Sequence, residues 1–133
     1  MNRPCISALT VALLLTSMWA SPVPAHHSTA MFERSEVTSI TGTIRFFSWA
    51  NPHVRVEIVE EKDGVAGAMW NIEGPTPNAL IPVGWKRTTL KPGDKVTLKI
   101  NPMKSGSNAG LLVGAILSDG TVLTDGSRRA AAQ

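Results

Sequence analysis

A chain of 133 residues, with 13 Lys and Arg against 10 Asp and Glu and a formal charge of +3, is one small domain's worth of sequence with a mildly basic balance. Apart from Arg3, the basic residues are scattered between Arg34 and Arg129 and form no run of five, which argues against a nucleic-acid surface. The single cysteine, Cys5, lies in the opening segment, so the body of the chain has neither a disulfide nor a thiolate-held metal.

Residues 1–25 read as a secretory signal peptide. Arg3 gives the positive start, and Cys5–Ala20 is apolar apart from Ser and Thr. That run is short for a membrane span, which needs about 20 apolar residues. Val23 and Ala25 supply small side chains where a signal peptidase reads them, and a cut after Ala25 makes His26 the first residue. A cut after Ala20 is the alternative, and it would leave five residues ahead of His26. The expected location is the periplasm or the outside of the cell, with no stable membrane span after cleavage.

Residues 26–36 have no hydrophobic period and are expected to form an N-terminal arm. From Val37 to Phe47 the residues are β-formers, with Gly42 marking a bulge or a sharp coil. Pro52 ends that strand, because it has no N–H to give a ladder. His53–Glu60 alternates, with Val54, Val56 and Ile58 on one side and Arg55 and Glu57 on the other. Asp63-Gly64 is a turn signal, and Ala68–Glu73 is the returning strand. Thr76 is a helix N-cap with Pro77 at the first helical position, and Pro82 and Gly84 keep the helix to one or two turns. Lys95–Ile100 and Leu111–Leu117 are further strands, and a short Thr121–Leu123 follows the Asp119-Gly120 turn.

The order is three strands, a short helix, then two strands. It predicts a mainly β chain: a small five-stranded barrel of the oligonucleotide/oligosaccharide-binding (OB) type over residues 37–125, with a tail over 126–133. A closed barrel also removes exposed sheet edges from a small chain. An open β-sandwich is the alternative.

One ordered set of motifs runs through this layout. It comprises His26-His27-Ser28 with Phe32, Thr41-Gly42-Thr43 and Trp49-Ala50-Asn51-Pro52-His53. It continues with Trp70-Asn71-Ile72-Glu73-Gly74, Pro77-Asn78, Gly84-Trp85 and Leu90-Lys91-Pro92-Gly93-Asp94. The set resembles that of a family of small exported bacterial proteins known as domain of unknown function 6152. The resemblance spans essentially the whole mature chain and implies export, but no activity. One departure is visible: this chain has Leu80-Ile81-Pro82-Val83 where members of that family carry a Leu/Arg-rich helical stretch.

An N-terminal His26 would offer a metal both its amine and its imidazole. Copper(II) favours nitrogen donors in a square or tetragonal plane, and His53 could complete a three-nitrogen brace. That local arrangement resembles the one in copper-dependent oxidative polysaccharide-cleaving enzymes. A free α-amine has a pKa of roughly 8, so a metal can displace its proton near neutral pH. His27 is a substitute donor, although adjacent residues of an extended arm point in opposite directions. Zinc could use the same donors with a carboxylate such as Glu73, but the amine favours copper. Asn51 and Glu73 are candidates for orienting His53. Met31, Met69 and Met103 could serve copper(I), although they form no Met-rich cluster and read more simply as core or surface.

Trp49 and Trp85 flank Pro- and Gly-rich breaks and suit either the core or a ligand surface. Three functions are therefore open. The favoured one is a metal-binding module that carries or sequesters copper. The second is a non-metal envelope module whose Trp49 and Trp85 dock a partner protein or small ligand. The third is a copper oxidase or oxygenase. No Gly-x-Ser-x-Gly elbow and no phosphate-cradling loop is present, so an enzyme is the weaker expectation.

Overall fold

The structure is a computed structural model that describes residues 29–127. Six strands follow in chain order: β1 (Thr38–Ser48), β2 (Arg55–Lys62), β3 (Val65–Glu73), β4 (Lys95–Pro102), β5 (Ala109–Ile116) and β6 (Val122–Thr124). The helix α1 (Pro77–Leu80) lies between β3 and β4 and passes into a 3-10 turn, Ile81–Val83. Among the described residues, no helix is long and apolar enough to cross a membrane.

The long β1 serves two neighbours. Its N-terminal part pairs with β4 (Thr38↔Ile100 to Thr43↔Lys95), and its C-terminal part pairs with β2 (Gly42↔Glu60 to Ser48↔Arg55). Gly42 lies where the two ladders overlap, and a Cβ there would sit 2.0 Å from the Val59 carbonyl oxygen. Only glycine lets the strand coil this tightly. The bulge itself falls between Ile44 and Phe46, three residues beyond Gly42 at Arg45.

Asp63 and Gly64 both have positive φ, the conformation a two-residue hairpin turn requires, and they set the β2–β3 register. A parallel pairing of Asn71, Ile72 and Glu73 with Ala109, Gly110 and Leu111 then joins β3 to β5. With β4 between β5 and β1, the five strands close into a barrel. The expected five-stranded OB-like barrel with one short helix is the observed fold. β6 adds a sixth, short strand outside that ring, paired to β5 alone among the described residues.

The core follows the alternation. Val54, Val56 and Ile58 on β2 and its approach face Ile40, Ile44, Ile72, Leu98 and Ile100 inside the barrel. Each such side chain contributes about 1.5–3 kcal/mol when removed from water. The helix is capped as its sequence dictates: the Thr76 hydroxyl accepts from Ala79 N at 3.3 Å, and Pro77 occupies the first turn. Its Leu80 is fully buried and belongs to the core. Gly84, at φ 97°, ends the following 3-10 turn and sends Trp85 into the core.

The arm is tied to the barrel from Thr29 onward. Thr29–Met31 forms a 3-10 turn, and Phe32 bridges Met103 in antiparallel fashion. Lys104 N donates to Met31 O at 2.9 Å and Glu33 N to Pro102 O at 2.8 Å.

Candidate functional site

His53 stands at the entry to β2, just after the cis Asn51–Pro52 bond, and its neighbour Val54 is completely buried. Val54 N donates to Pro75 O at 3.1 Å, and Gly74 N donates back to Val54 O at 2.9 Å. This clasp holds the Gly74 carbonyl where the His53 ring reaches it, Nδ1 to O at 3.2 Å. A carbonyl oxygen can only accept, so Nδ1 carries the proton of that bond. In neutral His53 the lone pair is therefore on Nε2.

Nε2 in turn lies 3.5 Å from Glu73 Oε1, with the two side chains 45% and 28% exposed. A neutral imidazole lone pair and a carboxylate repel each other at this distance. The arrangement is favourable once a positive charge stands between them, either a proton on Nε2 or a metal ion. Two donors bound at about 2.0–2.2 Å to one ion are roughly 3.3–3.6 Å apart at a tetrahedral angle and about 3 Å apart at a right angle. A ring nitrogen that donates to a backbone carbonyl while its partner nitrogen faces outward is the usual condition of a metal-ligating histidine.

His53 and Glu73 line a cleft of about 240 Å³ whose other walls include Thr29, Arg34, Asn101 and Asp125. Asn101 donates through Nδ2 to the Glu36 carbonyl and so braces the arm. The Asp125 carboxylate is engaged by Ser127, from N at 3.0 Å and from Oγ at 2.7 Å. None of Arg34, Asn101 and Asp125 was singled out by the sequence. They are remote from His53 in the chain, and only the docking of the arm on β4 and the pairing of β4, β5 and β6 bring them together. Among the described residues, no three His, Cys, Asp or Glu side chains converge as a metal site.

The remaining sequence candidates divide. His26 and His27 lie outside the described residues. Asn51 is exposed in the turn after β1, and no hydrogen bond joins it to His53. Trp49 is partly buried and packs edge-on against Phe47, centroids 5.9 Å apart. Trp85 requires a correction: it is no ligand surface, being 1% exposed with Nε1 donating to Thr124 O at 2.9 Å. The left-handed turn at Gly84 buries it, and its polar edge finds a carbonyl on β6.

A larger cleft of about 390 Å³ adjoins the first, sharing Phe32 and Glu73 with it. Away from both clefts, the Thr43 hydroxyl and then the Lys95 ammonium hold Glu61 below the usual carboxylate range.

The model of the family of unknown function DUF6152 matches residues 14–113, three quarters of the chain. The chain belongs to that family. His53, Glu73, Trp49 and Trp85 all fall inside the matched span of this DUF6152 protein. No curated protein matches it. Among solved structures, it is similar to the mitochondrial single-stranded DNA binding protein Rim1 from S. cerevisiae, with a TM-score of 0.47 and 15% identity. The likeness covers 62% of this chain and 93% of that one.

Proposed function

We propose that the protein is exported, begins at His26 once its leader is cut, and binds copper through the His26 amine and imidazole together with His53. The observation that carries this reading is the His53–Glu73 pair. A ring with Nδ1 fixed by a carbonyl turns its free Nε2 toward a carboxylate in a cleft, an arrangement that suits a cation.

The length of the arm is compatible with the second half of such a site. Thr29 lines the same cleft as His53, and His26 precedes it by only three residues. Three residues of chain reach at most about 10–11 Å, enough to cross a cleft of this size. The amine favours copper over zinc, and Glu73 would serve as a further oxygen donor or as an electrostatic partner. Carriage or sequestration is the favoured role. The alternative of an aromatic docking surface loses Trp85 to the core.

The test is a copper(II) competition titration on the protein exported from cells expressing the full chain, its first residue fixed by intact mass. His53→Ala is expected to weaken binding by at least about tenfold and Glu73→Gln by less. Unchanged affinity in His53→Ala would overturn the reading.

A further inference from the structure

We propose that the larger cleft, beside the His53 cleft, is a binding site for a neutral saccharide chain. The sheet register builds it. Phe46 on β1 faces Glu57 on β2, and Glu57 faces Asn71 on β3, so three strands place a ring, a carboxylate and an amide in one row. The next row sets Arg55 opposite Glu73. Val56 and Ile72 alternate to the inside and are buried, which leaves both rows on the outer face. All five of these outward residues line the one cleft of about 390 Å³, a volume within the range of small-molecule sites.

The lining is two-sided in its chemistry. Phe46 is 47% exposed, and Met31 from the arm adds a second exposed apolar surface to the same cleft. Beside them, the side chains of Arg55, Glu57 and Asn71 have no hydrogen bond or ion pair among the described residues. Arg55 does not pair even with Glu73 across the strands, because that carboxylate lies against His53. A pyranose ring matches this combination. Its C–H face lies on an aromatic ring, and its hydroxyls both donate and accept, as the free guanidinium, amide and carboxylate require. Two carboxylates against one guanidinium make the cleft repel a phosphate backbone, so a neutral chain is favoured over a nucleic acid. The site uses neither His26 nor His53 and stands or falls apart from the copper reading.

The experiment follows backbone amide signals of the exported protein by NMR during titration with maltotetraose, cellotetraose and chitotetraose, and with a short thymidine oligonucleotide as the polyanion. At least one saccharide is expected to shift Phe46, Glu57 and Asn71 together and to saturate, while the oligonucleotide does not. Phe46→Ala should weaken that binding about tenfold or more, and Phe46→Trp, which keeps a platform, should retain it. Asn71→Ala, at an exposed position safe for the fold, should weaken it about threefold or more. His53→Ala should leave it unchanged, as should Val122→Ala, an exposed apolar residue that lines neither cleft. No saturable shift with any saccharide, tighter binding of the oligonucleotide, or full affinity in folded Phe46→Ala and Asn71→Ala would each overturn the assignment.

Discussion

Gly74→Ala tests the link between packing and the His53 site. A Cβ at Gly74 would lie 2.4 Å from Val54 Cγ2 and 3.3 Å from Leu112 Cδ2. Ordinary carbon contacts are about 3.5–4.0 Å, so Val54 must separate from residue 74 by more than about 1 Å. Val54 is fully buried and cannot swing aside, so the backbone at 74 has to move. Overpacking of this kind costs about 1–3 kcal/mol. The same movement strains the Gly74 N–Val54 O bond of 2.9 Å and the His53 Nδ1–Gly74 O bond of 3.2 Å. Losing one such bond adds about 1 kcal/mol, against a gain of about 0.4–1 kcal/mol from a stiffer unfolded chain. The net expectation is a loss of about 2–3 kcal/mol in urea unfolding at an unchanged m-value. Nitrogen NMR of the imidazole should show that the Nδ1–H tautomer no longer dominates. A Gly74→Ala protein as stable as the parent, with the same tautomer, would refute the packing account of how His53 is held.

Trp85→Phe removes the donor to Thr124 O and leaves space in the core, and should cost about 2–3 kcal/mol in thermal unfolding. Hydrogen exchange should quicken first at Leu123 and Asp125, because β5 is the only strand partner of β6 among the described residues. His53→Ala should cost no more than about 1 kcal/mol, the loss of one hydrogen bond from a substantially exposed ring, so a loss of metal binding in the still-folded protein reports the site and not the fold. Thr43→Val should lower the urea midpoint at neutral pH. Glu61 has a folded pKa below its unfolded value, so its stabilisation is present above the ordinary glutamate range and is lost as pH falls through the lower folded value. The parent and Thr43→Val midpoints should therefore converge toward acid, and a gap that widens on acidification would refute that role.

The barrel was legible because its evidence is local. Alternation put Val54, Val56 and Ile58 inside, Asp63-Gly64 marked the hairpin, and Thr76-Pro77 started the helix, all within a few residues of where they act. The closing β3–β5 contact is a parallel pairing of distant segments, so it came from the strand order and not from any residue pattern. The approach of Glu73 to His53 follows from the β2–β3 register, in which Arg55 faces Glu73. By sequence Trp85 suits core and surface equally, because a Gly-Trp break exposes a side chain only if the chain turns outward. Here β6, distant in sequence, covers it and supplies the carbonyl. Arg34 and Asp125 carried no signal at all, since each is an ordinary charged residue until the barrel assembles around the cleft.

The most direct measurement is the electron paramagnetic resonance spectrum of one equivalent of copper(II) on protein prepared to begin at His26 and on the same protein with one residue inserted ahead of His26. The copper account predicts a single tetragonal signal with nitrogen couplings in the native protein, lost or replaced in the extended one. Identical spectra and equal, weak affinity in both would contradict it.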